Sequence, residues 1–252
     1  LIVTVADDPS MHSSQNEQDS RFFGKFAMIP ILEPANQQEA YDMAYEGFEL
    51  SEKFKIPVMI RITTRLSHSR SGVERRETKS ENPLTYPEDP IQFVLLPSNA
   101  RKRYKGLLSI QALLEQESEH SVYNTYIPGR DKSLGIIACG IAFNYLKENY
   151  QSKSCPHPIL EINQYPLPFI KVEKIVNECE KVLVLEDGYP FVEAELAGFV
   201  IISSKIIGRL NGTVPRDGEL NPDVVARALG KEVKTFNKVP DIVKNRPPEL
   251  CS

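Results

Sequence analysis

The sequence predicts an α/β fold in which two sheet-forming units are joined by a helical linker. Short β-branched apolar runs alternate with amphipathic helical patterns over residues 1–66, and again over residues 130–208. This alternation is typical of parallel sheets covered by helices. Between the units, residues 67–129 begin with a Ser-, Arg- and Glu-rich segment and continue through four prolines, which is the composition of a linker.

The first unit contains one strongly patterned helix between apolar strands. Asn36 can cap that helix, and Glu39 falls three residues later, as in a capping box. The apolar positions continue at helical spacing to about Phe54. The apolar runs on either side predict strands at residues 1–6, 29–32 and 57–62.

The linker is predicted to carry one long helix, from Ser98 to about Glu119. Its charges are basic first and acidic last, which opposes the helix dipole. Packing or a partner surface must therefore offset the small loss of helix stability that this order of charges causes. The predicted apolar face consists of Ala100, Tyr104, Leu107, Leu108, Gln111 and Leu114.

The second unit repeats the strand–helix alternation and ends in a short capped helix. Asn221 caps this last helix, Pro222 takes its first position and Gly230 ends it. The apolar patterns predict strands at residues 134–139, 158–162, 181–186 and 201–207, with helices at 141–150, 171–179 and 191–197.

Composition and charge exclude several classes of function. The 252 residues are 41% hydrophobic and carry a formal net charge of −4, which gives no reason to expect nucleic-acid or membrane-surface binding. No apolar run reaches membrane-spanning length. The four cysteines are scattered and never in CxxC spacing, so a reducing, cytoplasmic location is expected.

A dense polar loop, Asp7–Arg21, is the strongest candidate site. It leaves the carboxyl end of a predicted strand, where open α/β sheets bind ligands; the alternative is a solvated surface loop. Arg21, Arg61 and Arg65 can bind a carboxylate, although surface ion pairing with the abundant Glu is the alternative for each.

The second unit offers weaker candidates. Gly135 to Gly140 lies at a strand-to-helix turn but lacks the G-x-G-x-x-G spacing, so tight packing is the interpretation. Residues 186–188 (Glu-Asp-Gly) end a strand, where a turn is favoured over a magnesium site. Cys139 is expected in the core, and Cys251 alone cannot hold a metal.

Three stretches resemble the alpha subunit of indolepyruvate:ferredoxin oxidoreductases. The most specific is ADDPSMHSSQNEQDSR at residues 6–21, and the second is RITTRLSHSR at 61–70. The third lies in the second unit, as GIIACG at 135–140, YPLP at 165–168 and PRDGELNP at 215–222. The resemblance extends over nearly the whole chain.

The resemblance implies a domain plan. Residues 1–66 would be the C-terminal part of a pyrimidine-binding thiamine-diphosphate domain, and 67–129 a linker with a long helix. Residues 130–208 would form a transketolase-C-terminal-like α/β domain, and 209–252 would lead toward a diphosphate-binding domain. The run Arg246–Cys251 resembles the family's approach to a Cys-Pro-Gly-Cys segment. The glutamate that activates the cofactor precedes this region in the family, so an internal segment is expected.

The resemblance also implies a reaction. The family oxidatively decarboxylates 2-oxo acids such as indolepyruvate to acyl-CoA, and passes the electrons to ferredoxin. It uses thiamine diphosphate, Mg²⁺ and [4Fe-4S] clusters, and it works with a beta (gamma-domain) subunit in an oligomer. A pyruvate or 2-oxoglutarate relative is one alternative. Another is a non-catalytic α/β module that docks on a catalytic subunit.

Family likeness also assigns roles within the polar loop, which borders the thiamine pocket in these enzymes. No catalytic residue and no metal ligand are expected in this segment, and the chain alone is expected to be inactive. Asp8 and Arg21 would contact substrate. The cofactor-binding residues would be His12, Ser13, Ser14, Gln15 and Asn16.

Overall fold

A computed structural model of the chain describes residues 1–150, 154–197, 205–216 and 218–233. They form two sheets, which confirms the predicted α/β class. In the first sheet the strands are β1 (Ile2–Asp7), β2 (Ile31–Leu32), β3 (Val58–Thr63) and β7 (Gln164–Tyr165), in the order β1-β3-β2-β7. The first three are parallel, and β7 runs antiparallel to β2. The helices of this unit are α1 (Arg21–Ala27), α2 (Gln37–Phe54) and α3 (Thr64–His68).

The second sheet has a parallel centre with an antiparallel edge strand. Its strands are β4 (Tyr126–Ile127), β5 (Gly135–Cys139), β6 (Ile159–Ile162), β8 (Val182–Leu185) and β9 (Ile206–Ile207), in the order β4-β6-β5-β8-β9. The chain passes from β5 to β6 on one side and returns to β8 on the other. This reversal creates a switch point between β5 and β8. The helices here are α6 (Ala142–Tyr150), α7 (Phe169–Glu178), α8 (Phe191–Ala197) and α9 (Pro222–Ala228).

Local signals of the sequence specify α2 and α9 as predicted. The Asn36 side chain accepts a hydrogen bond from the Glu39 amide at 2.9 Å, and its own amide donates to the Glu39 carboxylate at 2.7 Å. Asn221 accepts from the Val224 amide in the same way. The predicted Asn caps are therefore confirmed. The capping box differs in its second bond, because the Glu39 carboxylate accepts from the Ala35 backbone amide and the Asn36 side chain rather than from the Asn36 backbone amide.

The sequence did not locate helix α1 or strand β7. Helix α1 follows directly on the polar loop and ends at Met28 in the left-handed conformation. Strand β7 pairs with β2, with Tyr165 opposite Ile31, and so connects the second unit to the first sheet. A two-residue strand is too short to show a period in the sequence.

The single linker helix was a wrong prediction. The structure has α4 (Pro97–Ser109) and α5 (Gln111–His120), separated at Ile110, and the N-cap of α4 is Leu96 rather than Ser98. Of the predicted apolar face only Leu114 is fully buried, because no sheet lies beneath α4. The early part of the predicted strand 201–207 and the run 246–251 lie outside the described residues.

Apolar cores cover both faces of the second sheet and the α2 face of the first. Ile137 and Val184 belong to one cluster of the second sheet, while Ile136 and Leu185 belong to the other. Met43 of α2 packs over the first sheet. Cys139 is fully buried, as predicted, and burial raises the pKa of its thiol. Both sheets are thus rigid supports for the loops at their carboxyl ends.

Candidate functional site

A buried ion cluster lies where the carboxyl ends of the two sheets meet. It contains two arginines, each fully buried, and four buried carboxylates. Its members come from β1, the polar loop, α1, β3 and the turns that follow β2 and β8. The six residues, which we call the ion cluster, are Asp7, Asp19, Arg21, Glu33, Arg61 and Glu186.

Arg61 on β3 connects three segments of the chain. Its Nε donates to Asp7 Oδ2 at 2.5 Å, and its Nη1 donates to Glu33. Its Nη2 donates to the carbonyl oxygen of Asp187 at 3.0 Å, in the turn after β8. Burial lowers the pKa of the guanidinium, but Asp19 and Glu33 outweigh it and raise the pKa above its ordinary value. Arg61 is therefore charged, and it forms hydrogen bonds with both units of the chain.

Arg21 makes a parallel set of contacts from the start of α1. Its Nε donates to Asp19 Oδ1 at 2.9 Å, and its Nη1 donates to Glu186 Oε2 at 2.8 Å. Its Nη2 bonds Asp19 and the Tyr189 carbonyl oxygen. The side chain is fully buried and its donors are used within the chain, which leaves no open surface for the expected contact with substrate.

The carboxylate of Glu186 is used within its own turn, which favours a turn over a magnesium site at residues 186–188. Its carboxylate accepts hydrogen bonds from the backbone amides of Phe191, Val192 and Glu193, so that it caps helix α8. Burial raises its pKa even though Arg21 acts to lower it. Among the described residues, no group of three or more His, Cys, Asp or Glu is arranged to hold a metal ion.

The switch point of the second sheet is filled by side chains of the first unit. Gly140 follows β5 with φ +52°, and a Cβ there would lie 2.7 Å from Cγ of Glu33. Gly188 follows β8 with φ +98°, and its Cβ would lie 2.8 Å from Asp19 Oδ2 and 3.0 Å from Arg61 Nη2. The crevice that binds ligands in open α/β sheets is thus packed here, in agreement with the packing interpretation of Gly135 to Gly140.

Asp8 organises the polar loop from within. Its Oδ2 accepts from the amides of Ser13 and Ser14 at 2.7 and 2.8 Å, and its Oδ1 accepts from the Thr64 hydroxyl at 2.7 Å. Burial raises the pKa of the carboxyl, but these hydrogen bonds outweigh it and hold the pKa well below its usual range. The carboxylate expected to contact substrate is therefore committed to the loop's own backbone.

We expect Asp8→Asn to lower the free energy of unfolding at neutral pH by about 1–3 kcal/mol, because two backbone donors lose a charged acceptor. A depressed folded-state pKa contributes stability above the ordinary value of 3.8, and that stability is lost as the pH falls through the folded-state pKa. The difference between the wild type and Asp8→Asn should therefore shrink in acid. Urea unfolding across a pH series measures it, with Asp89→Asn as an exposed control. An unchanged difference at low pH would contradict the assignment.

The predicted cofactor residues are spread over different surroundings. His12 points its Nε2 toward Glu219 Oε2 at 3.4 Å, without a hydrogen bond. Ser13 and Gln15 are exposed. Asn16 alone among the five lines a groove at the end of β1. None of these assignments is tested by a ligand, and all five stay predictions.

This open groove measures about 730 Å³. One wall is polar, from the loop, and the other is aromatic, from the exposed Phe22 and Phe23 of α1 and from Tyr189. These aromatic residues were not among the predicted site residues, because α1 was not located from the sequence, although Phe22 and Phe23 directly follow the polar loop. The lining residues are Val5, Ala6, Asp7, Asn16, Glu17, Gln18, Asp19, Ser20, Phe22, Phe23 and Tyr189.

The groove suits one half of thiamine diphosphate. The amides of Asn16 and Gln18 can bond a flat ring with nitrogen donors and acceptors, and Phe22 and Phe23 offer apolar faces to the same ring. Within the part of the chain that the structure describes, no Lys or Arg lines this groove. Its charged residues are all acidic, so these walls fit the aminopyrimidine and do not fit the diphosphate.

Arg65, the third arginine predicted to bind a carboxylate, lies in different surroundings from the buried Arg21 and Arg61. Arg65 forks onto Glu219, with Nε and Nη2 each 2.6 Å from a carboxylate oxygen, and its side chain is half exposed. The surface ion pair foreseen as the alternative describes Arg65 well. It does not describe Arg21 and Arg61, whose ion pairs are buried.

The polar loop, the groove and the parallel sheet belong to a known class of domain. Residues 6–126 match the family described as pyruvate flavodoxin/ferredoxin oxidoreductase, thiamine diphosphate-binding. The fold of the chain resembles a 2-oxoglutarate:ferredoxin oxidoreductase from Magnetococcus marinus, whose structure has 2-oxoglutarate, coenzyme A and succinyl-CoA bound. That likeness has a TM-score of 0.58 at 14% identity, and it covers 90% of this chain and 48% of the other.

Similar proteins matched over the whole chain point to a narrower group than the domain family does. The chain is 37% identical to the indolepyruvate oxidoreductase subunits IorA of Methanothermobacter thermautotrophicus and Archaeoglobus fulgidus, and 35% identical to that of Pyrococcus abyssi. Each match covers 100% of this chain and 42% of the relative. The chain therefore resembles the indolepyruvate oxidoreductase subunits IorA over its whole length, which confirms the resemblance of its motifs. No helix in the described part of the chain is long and apolar enough to cross a membrane.

Proposed function

We propose that this chain contributes the pyrimidine side of a thiamine-diphosphate site in an enzyme that oxidatively decarboxylates 2-oxo acids. The observation that carries the proposal is the groove at the end of β1, with amides on one wall and phenylalanines on the other. When bound, thiamine diphosphate supplies the nucleophilic carbon and the electron sink for loss of CO2. The products would be acyl-CoA and electrons passed to ferredoxin.

Each segment of the chain has a proposed part in that enzyme. Residues 1–66 are the C-terminal part of the pyrimidine-binding domain, and 67–129 are a linker. Residues 130–208 form a bracing, transketolase-C-terminal-like domain, and 209–252 lead toward a diphosphate-binding domain. The hydrogen bonds that Arg21 and Arg61 donate to residues 186–189, in the turn after β8, support the bracing role. Mg²⁺ and [4Fe-4S] clusters would be held outside the described residues.

Within the site, the residues of this chain would position and enclose the cofactor. Asn16 and Gln18 would bond the aminopyrimidine, while Phe22 and Phe23 would cover its face and exclude water. Asp8 keeps the loop closed by holding its backbone amides. Contacts from His12, Ser13, Ser14 and Gln15 remain proposals supported by family likeness alone, because none of these residues lines the groove.

We propose an aryl 2-oxo acid such as indolepyruvate as the substrate, on the names of the relatives alone. A beta subunit, coenzyme A and a cytoplasmic location are proposed on the same ground, and three described cysteines that are free thiols are consistent with a reducing compartment. Pyruvate and 2-oxoglutarate are the alternatives. Steady-state assays of the intact enzyme with the three acids, coenzyme A and ferredoxin decide among them, and preference for either aliphatic acid would overturn the aryl assignment.

We expect this chain to bind thiamine and thiamine diphosphate with similar, weak affinity, because no cation lines the groove to hold the diphosphate. Calorimetry with each compound and Mg²⁺ measures this. Low-micromolar binding of thiamine diphosphate alone would show that the chain holds the diphosphate itself, and would contradict the division of the site.

In the intact enzyme, Asn16→Ala should raise the KM for thiamine diphosphate about tenfold, the equivalent of one hydrogen bond of about 1.4 kcal/mol. Gln15→Ala is the comparison variant, since Gln15 is an exposed amide of the same loop that family likeness also proposes as a cofactor contact but that does not line the groove. Activity at varied cofactor concentration measures both. A larger effect of Gln15→Ala than of Asn16→Ala would favour the family-based assignment over the groove.

A further inference from the structure

The ion pair between Arg65 and Glu219 joins two sequence motifs that have no assigned part in the site. Arg65 lies in RITTRLSHSR at 61–70, and Glu219 lies in PRDGELNP at 215–222. Nε and Nη2 of Arg65 donate to the two oxygens of Glu219, so Glu219 holds the position that a bound carboxylate would take. The side chain of Arg65 is 48% exposed and that of Glu219 is 10% exposed. The arginine is therefore accessible from solvent.

Two further polar atoms beside this pair are buried and have no hydrogen-bond partner among the described residues. They are Nε2 of His12 and the hydroxyl of Tyr145 on α6. His12 Nε2 lies 3.4 Å from Glu219 Oε2. Tyr145 is 5% exposed, and burial raises the pKa of its hydroxyl. The charged groups that act on this hydroxyl next are Asp187, Arg65 and Glu219. The hydroxyl is therefore protonated and faces the pair.

Three potential donors thus surround one carboxylate that satisfies only one of them. The guanidinium of Arg65, the hydroxyl of Tyr145 and an imidazole N–H of His12 can all donate to an oxyanion. Glu219 is tethered to its own backbone and bonds Arg65 alone, whereas a free carboxylate or phosphate group can turn to meet all three. Asp187 carries an opposing charge, but burial raises the pKa of its carboxyl to about 6, so this opposition weakens in slightly acid solution.

We propose that Arg65, His12 and Tyr145 form a binding site for an oxyanion, and that Glu219 is a built-in competitor for it. The oxyanion, a carboxylate or a phosphate group, replaces Glu219 on Arg65. Little free energy opposes this exchange, because an ion pair to a half-exposed arginine adds little stability. Glu219 also has room to turn outward, since an added Cβ on the adjoining Gly218 would meet no described atom within 4 Å.

The test is an NMR titration of the isotope-labelled 252-residue chain in slightly acid buffer, with pyruvate and inorganic phosphate as separate probes. The ring signals of His12 and Tyr145 report binding. Glu219→Gln should tighten binding about fivefold, because it removes the competing charge and keeps the size. Arg65→Gln should weaken binding about tenfold or more, since the anion loses charge-assisted hydrogen bonds. A response to pyruvate alone assigns the site to carboxylates, and a response to phosphate alone assigns it to phosphate groups.

Two controls separate binding from folding and from net charge. Tyr145→Phe removes an unpartnered buried hydroxyl, so it should weaken binding while the urea midpoint stays the same or rises. Glu115→Gln makes the same change of net charge on an exposed residue of α5 and should leave binding unchanged.

The sign of the two main effects decides the outcome. Arg65→Gln and Glu219→Gln break the same ion pair, so a purely structural pair would change binding in the same direction in both variants. That result overturns the proposal, as does the absence of a response to either probe in the wild type and in Glu219→Gln. The titration needs no turnover, so its result does not depend on the reaction proposed for the intact enzyme.

Discussion

We expect Arg61→Met to lower the free energy of unfolding by about 3–5 kcal/mol, the usual cost of removing one partner from a buried ion pair. Methionine retains much of the volume but none of the donors. Asp7, Glu33 and the Asp187 carbonyl would each lose the hydrogen bond that Arg61 donates. Arg21 would then be the only cation among the four carboxylates of the ion cluster.

Arg65→Met is the matched control for this substitution. It removes the same functional group from a side chain that is half exposed and bonded only to Glu219, so a loss of about 1 kcal/mol or less is expected. Chemical denaturation of both variants measures the difference. Burial raises the pKa of Asp19, but Arg21 and Arg61 outweigh it and lower that pKa. Stability from a lowered pKa is lost as the pH falls, so the deficit of Arg61→Met should also shrink in acid. Equal losses for the two variants would show that the ion cluster contributes no more than a surface pair.

How far the sequence predicts this fold depends on the range of the interactions. The Asn36 and Asn221 caps, the parallel strands and the buried Cys139 follow from neighbours along the chain, and all were predicted. Strand β7 and the bond from Arg21 to Glu186 are different, since the latter joins residues 165 positions apart. No local pattern indicates which strand end will meet which loop.

The candidate site shows the same limit. The polar loop was found because it follows a strand, and family likeness pointed to thiamine. The sequence could not show that Asp8 turns inward to its own backbone, or that Arg21 is buried beneath the groove rather than exposed within it. The orientation of Asp8 depends on Thr64 of α3, and the burial of Arg21 depends on Glu186 of the second unit. The aromatic wall was missed for a local reason, because α1 has only seven residues.

We expect Gly188→Ala to cause the second large loss in the free energy of unfolding. Gly188 has φ +98°, where an L-residue costs about 1–2 kcal/mol. The added Cβ would also meet Asp19 Oδ2 and Arg61 Nη2 at 2.8 and 3.0 Å. Both atoms belong to buried, hydrogen-bonded groups that cannot move without breaking other bonds. Disruption of a buried ion pair adds about 3 kcal/mol or more.

Gly212→Ala separates the two contributions. Gly212 has φ +81°, and its Cβ would have no neighbour within 4 Å. It therefore carries the backbone strain without the steric clash, and a loss of about 1–2 kcal/mol is expected. The excess for Gly188→Ala over Gly212→Ala reports the packing of the ion cluster against the turn after β8. That excess should decrease in the Arg61→Met background, because one of the two groups that the added Cβ meets is then absent. Full additivity would mean that the glycine is required only for its backbone conformation.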